Sequence, residues 1–184
     1  MKSIGLFCAA SEKIEAVYPE RARELGEWIG KSGYALVYGG AAKGLMEVTA
    51  SAAKSRGAHV VGVVPQILVE RGSVSAVPHE IVTVADLSER KDVILGRSDI
   101  LVALPGGIGT LDEVFHVMAA ATIGFHDKKV VFYNVNGFWD SMAALLDEYK
   151  TRNFLRGETA DFYAVADSLA QLKEIITAEF DKRK

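Results

Sequence analysis

Ile100-Leu101-Val102-Ala103-Leu104-Pro105-Gly106-Gly107-Ile108-Gly109-Thr110-Leu111-Asp112-Glu113 passes from an apolar run through a glycine-rich turn into a helical pattern. The run at 100–104 has the length and branched side chains of a strand buried on both faces. The stretch 110–122 then repeats its apolar positions with helical period. Three glycines in the four positions 106–109 exceed what a tight turn needs. Glycine lets a backbone approach a ligand closely. A helix start adds N–H groups and partial positive charge. The turn therefore reads as a phosphate site built from Gly106, Gly107, Ile108, Gly109 and Thr110, with Thr110 capping the helix or donating its hydroxyl. It is not a Walker A loop, because no Gly-Lys-Ser/Thr ends it, and it lacks the dinucleotide spacing Gly-x-Gly-x-x-Gly.

The same alternation extends in both directions. Short apolar runs occupy 4–8, 34–38, 59–64, 81–84, 130–133 and 162–165. Helical patterns separate them at 12–31, 45–55, 86–97, 138–149 and 168–180. Asp86 has the side chain of an N-cap, with Glu89 as its capping-box partner. Residues 65–80 carry the least pattern and read as a surface loop. Strands separated by helices predict an α/β fold: a Rossmann-like, doubly wound parallel sheet with helices on both faces, as a single domain over 1–184. In such sheets ligands bind outside the carboxyl ends of the strands. A second glycine turn, with Gly39, Gly40 and Gly44, lies at such an end, as a further binding segment or a plain chain reversal.

Composition narrows the function classes. Hydrophobic residues make up 49% and charged residues 24%, which suits a packed globular chain rather than a disordered one. The formal net charge of −3 gives no basic face, so no nucleic-acid partner is expected. The charged tail Asp181-Lys182-Arg183-Lys184 reads as a solvated helix end. Cys8 is the one cysteine, which leaves no intramolecular disulfide or cysteine-rich metal site. No apolar stretch reaches membrane-spanning length, and the first run is too short for a signal peptide, so the expected compartment is the cytoplasm.

Glu113 follows Thr110 by three positions and shares its helix face, one turn in. A carboxylate beside a phosphate site can bind ribose hydroxyls, stabilise an oxocarbenium-like centre or activate water. A surface glutamate favoured by the helix dipole is the plainer alternative. Arg90 and Lys91 lie early in the helix after Asp86, where two cations oppose the dipole. They are either phosphate- or base-binding groups or a solvated pair. His59, His79, His116 and His126 show no metal-ligand spacing, and no metal is assigned. Trp28 and Trp139 fall in helical patterns and read as core or interface residues.

Residues 105–113 resemble the PGGxGTxxE signature of the Lonely Guy family, the cytokinin riboside 5'-monophosphate phosphoribohydrolases often labelled lysine decarboxylases. Leu87-Ser88-Glu89-Arg90-Lys91 is similar to that family's MHxRK motif, and Tyr38-Gly39-Gly40 with Gly44-Leu45-Met46 to its YGGGxxGLM segment. Phe7-Cys8-Ala9-Ala10-Ser11 is like its FCGSS. The resemblance implies hydrolysis of a nucleoside 5'-monophosphate, such as an N6-substituted AMP, to free base and ribose 5-phosphate. It implies no cofactor, and a homodimer with sites near the interface. By resemblance, Arg90 and Glu113 carry catalysis, Gly106, Gly107, Gly109 and Thr110 hold the phosphate, and Lys91 assists. The chain departs from the pattern at Leu87 and Ser88, at Glu47 after the GLM triplet, at Ala9-Ala10 and at Ala119-Ala120. These changes spare the phosphate loop and the catalytic pair and bear on the base. A carrier that binds a nucleotide or phosphorylated cofactor without cleaving it is the alternative. A pyridoxal phosphate decarboxylase would need a Schiff-base lysine, and neither Lys43 nor Lys91 is marked as one.

Overall fold

The computed structural model describes residues 1–155 and 157–182. Arg183 and Lys184 of the charged tail lie outside the described residues. Seven strands form one sheet: β1 (Ser3–Phe7), β2 (Ala35–Tyr38), β3 (Val60–Pro65), β4 (Glu80–Val84), β5 (Ile100–Ala103), β6 (Val130–Tyr133) and β7 (Tyr163–Ala166). Every adjacent pair is parallel, in the order β4-β3-β2-β1-β5-β6-β7. The connecting helices are α1 (Val17–Lys31), α2 (Gly44–Ser55), α3 (Gln66–Glu70), α4 (Leu87–Gly96), α5 (Ile108–Thr122), α6 (Asp140–Thr151), α7 (Thr159–Phe162) and α8 (Leu169–Lys182).

Alternation along the strands divides the core in two. Ile4, Leu6, Leu36, Tyr38, Ile100 and Val102 pack on one face with α1, α2 and α8, through Leu25, Ile29, Leu45, Ala50, Leu172 and Ile176. Phe7, Val37, Val63, Leu101, Ala103 and Phe132 turn to the other face, against Ile94 of α4 and Val114 and Val117 of α5. Successive strand residues point to opposite faces, so each run is apolar throughout and both surfaces are covered by helices. Trp139 lies in this second layer, 2% exposed, and donates its indole N–H to the Ala103 carbonyl.

The chain grows outward from β1 through β2, β3 and β4, then returns to start β5 on the other side of β1. That reversal opens a crevice at the carboxyl ends of β1 and β5, the place where open α/β sheets bind ligands. Three segments meet there. Ala9, after β1, donates to the Pro105 carbonyl at 3.1 Å, and Leu45 donates to the Ala9 carbonyl at 2.9 Å. The loop after β1 is thereby tied to the turns after β5 and β2.

Several boundaries differ from the sequence reading. Helix α1 starts at Val17 instead of residue 12, because residues 8–16 are used to cross the end of the sheet. Helix α5 starts two residues early, with Gly107 as N-cap and no side-chain cap, so Thr110 lies inside the first turn and does not cap it. The stretch 65–80 is not a bare loop: it holds α3 and an antiparallel bridge from Val74 to Ala41. Asp86 does cap α4, accepting from the N–H groups of Ser88 and Glu89, while Glu89 reaches back to the N–H of Ala85.

Candidate active site

Helix α5 supplies one wall of a cleft of about 290 Å³ at the carboxyl ends of β1 and β5. Gly107, Gly109, Thr110 and Glu113 line it from α5, and Arg90 from α4. Cys8 to Ser11 and Met46 complete it. This volume is at the low end of the roughly 300–1,000 Å³ common for small-molecule sites. The first N–H groups of α5 have no acceptor within the helix. A Cβ added at Gly107 or Gly109 would meet nothing within 4 Å, so these residues leave open space before the helix start. Gly106 has the opposite reason to be glycine: a Cβ there would collide with the Thr110 side chain, which is 3% exposed. Ile108, expected within the binding loop, is 82% exposed and can contribute through its backbone.

Arg90 is not solvated. Its side chain is 11% exposed, its Nε donates to the Val63 carbonyl at 3.1 Å, and one terminal nitrogen donates to the Gly39 carbonyl at 3.2 Å. The ends of β2 and β3 thus hold the guanidinium edge-on. A Cβ at Gly39 would overlap the Arg90 terminal nitrogen, which accounts for glycine there. Gly40 adopts φ +68° and Gly44 φ +58°, backbone that favours glycine. Gly44 also lies against the 9–11 backbone, where a Cβ would come within 2.6 Å of the Ala10 carbonyl carbon. These two glycines shape the turn around the cleft.

The remaining Nη1 of Arg90 lies 3.4 Å from Oε1 of Glu113. The separation makes an ion pair without a short hydrogen bond. Glu113 is 5% exposed. Its pKa is pushed up to about 7, first by burial and next, in opposition, held down by Arg90, with Asp112 raising it and Lys91 lowering it. Burial outweighs the helix dipole that the sequence suggested would favour the ionised form. A carboxyl group that titrates near neutrality can exchange a proton during a reaction. Cys8 lies beside this pair; burial above all, then the Glu113 charge, drive its thiol well above the usual range, so it stays protonated.

Lys91 does not line the cleft. Its ammonium lies 2.7 and 2.8 Å from the two Asp112 oxygens. The histidines are dispersed: His59 stacks on His79, His116 pairs with Asp92 at 3.0 Å, and the His126 ring meets the Val117 carbonyl. The sequence had singled out the α4 and α5 groups, but not Cys8, Ser11 or Met46 as cleft walls. Ser11 and Met46 reach the cleft through the loop after β1 and the α2 start, a proximity that only the fold creates.

A family model described as "Possible lysine decarboxylase" matches residues 46–176. A protein of Oryza sativa subsp. japonica, described as a probable cytokinin riboside 5'-monophosphate phosphoribohydrolase, is 34% identical over 177 residues, 96% of this chain and 71% of that protein. A cytokinin riboside 5'-monophosphate phosphoribohydrolase of Arabidopsis thaliana is 35% identical over 171 residues, 93% of this chain and 80% of its own. Among solved structures, a Moco carrier protein from Chlamydomonas reinhardtii superposes with a TM-score of 0.76 at 22% identity, over 98% of each chain. That last likeness is one of fold.

Proposed function

The chain belongs to the Lonely Guy family of phosphoribohydrolases, and on that premise we propose that it acts as one Rossmann-like domain that hydrolyses the N-glycosidic bond of an AMP-like nucleoside 5'-monophosphate. The products are the free base and ribose 5-phosphate. The observation that carries this reading is the buried Arg90–Glu113 pair, 3.4 Å apart, facing an uncapped, glycine-bearing helix start across one cleft.

The residues divide the work as follows. The N–H groups at the start of α5, with Thr110, bind the 5'-phosphate. This places the ribose over Glu113. As the bond from C1' to the base nitrogen breaks, its electron pair leaves with the base, and positive charge develops on the ribose. The Glu113 carboxylate stabilises that charge and accepts a proton from the attacking water, and the departing base takes up a proton, so that one water is added across the bond. Arg90 holds Glu113 in place and offers a donor to the phosphate or the departing base. A pyridoxal phosphate mechanism gains no support, since Lys43 is exposed and the Lys91 ammonium is paired to Asp112. We also read the chain as a homodimer. Ile123 and Phe125, 66% and 80% exposed, flank a cleft of about 590 Å³ beside α4 and α5 that suits a second copy.

Product chromatography with AMP and with N6-isopentenyl-AMP tests the reaction, beside the Glu113→Gln variant. The wild type should release free base, and the variant should lose about 100-fold or more in kcat while keeping nucleotide affinity within a few-fold. Tight nucleotide binding with no base released by the wild type would overturn hydrolysis in favour of a carrier.

A further inference from the structure

Three consecutive residues of α4 reach three residues of α5. Arg90 meets Glu113 at 3.4 Å, Lys91 meets Asp112 at 2.7 Å, and Asp92 meets His116 at 3.0 Å. The middle pair is unusual in its burial. The Lys91 side chain is 13% exposed, whereas that of Asp112 is 51% exposed. The lysine is covered and its ammonium is chelated by both carboxylate oxygens. A lysine recruited for a phosphate would present its ammonium to the cleft, and this one does not line it.

We propose that Lys91 acts on the reaction through Asp112, as a positioning residue, without touching the nucleotide: the pair pins α4 to α5 at Arg90 and Glu113 and neutralises the carboxylate next to Glu113. The proposal rests on the hydrolase reading above and deepens it. The charged and titratable groups facing Glu113 are Arg90 and Lys91 from α4, Asp112 beside it on α5, and the Cys8 thiol at the end of β1. Arg90 and Lys91 favour the ionised carboxylate, Asp112 opposes it, and Cys8 stays neutral. Removing Lys91 alone leaves Asp112 unopposed. Removing both charges cancels the two effects.

The test uses the full chain with Lys91→Met, Asp112→Asn and the double variant, assayed from about pH 5.5 to about 9 for kcat and KM. In Lys91→Met the acid limb of the rate should move to higher pH, with the rate at pH 6 down about three- to tenfold and KM within about twofold. Asp112→Asn should move the limb the other way, and in the double variant the limb should return close to the wild type while the plateau kcat stays a few-fold low, because the α4–α5 link is gone. A tenfold rise in KM in Lys91→Met that persists in the double variant would make Lys91 a phosphate ligand and overturn the proposal, as would limbs that do not move. Carbon-13 NMR of the Glu113 carboxyl without substrate follows the same titrations in all four proteins. It decides the role of Lys91 even if the wild type releases no base, an outcome that would sink the hydrolase reading alone.

Discussion

Glu113 occupies the second turn of α5 with 5% of its surface exposed, and its titration near pH 7 carries a consequence for stability. The ordinary value for a glutamate is 4.5. Between these pH values the folded chain holds a proton that the unfolded chain has lost. The contribution of this group to stability is therefore fully present below about pH 4.5 and is lost as pH rises through about 7. The difference is on the order of 3 kcal/mol. Glu113→Gln removes the titration and keeps the shape. Calorimetry at several pH values should show the Tm of this variant gaining on the wild type as pH rises from 5 to 8, by several degrees for a chain of this size. A constant offset across that range would mean that Glu113 ionises freely and that its burial imposes no penalty. The sequence could mark Glu113 by its spacing from Thr110, but not this effect, because desolvation depends on which side chains close over the carboxyl group.

At the level of elements, the strands were the most legible part. Their apolar runs differ from the observed ends by a residue or so, because a strand buried on both faces has no amphipathic ambiguity. Helix starts were less legible. Gly107 caps α5 without a side chain, so nothing in its chemistry distinguished it from the rest of the glycine turn. Residues 12–16 continue the helical pattern of α1 yet stay outside it, in the segment that follows Ala9, which is bonded to Pro105 and Leu45 at the carboxyl ends of the central strands. Arg90 shows the same limit: from sequence alone it could have been solvated, and the carbonyls that hold it, of Gly39 just after β2 and of Val63 in β3, are 51 and 27 positions away. The turn after β2 makes this docking possible. Gly39→Ala would place a methyl group where the Arg90 guanidinium lies. It should reduce kcat/KM by about 100-fold, to the level of Arg90→Ala, and the double variant should be no worse than either. Additive losses in that cycle would show that Gly39 serves the site in some other way.

At the scale of the molecule, α4 and α5 do two jobs on two sides. On one side they carry Arg90 and Glu113 into the crevice created by the chain reversal between β1 and β5. On the other they border the apolar cleft of about 590 Å³, where Asp92 and His116, Leu95, Ala119 and Ala120 lie with the exposed Ile123 and Phe125. Among the described residues no helix is long and apolar enough to cross a membrane. A second copy seated there would bear on the same helices whose spacing sets the 3.4 Å approach of Arg90 to Glu113. Association and turnover should then be linked. Phe125→Glu places a charge at the most exposed aromatic position of this surface, where burial against a partner would cost several kcal/mol. Sedimentation at micromolar concentration should find the wild type as a dimer and the variant as a monomer, with kcat/KM lower in the variant and rising with protein concentration. A wild type that sediments as a monomer would remove the dimer. A dissociated variant with full activity would instead show that each chain holds its α4–α5 spacing alone, through Lys91–Asp112 and Asp92–His116.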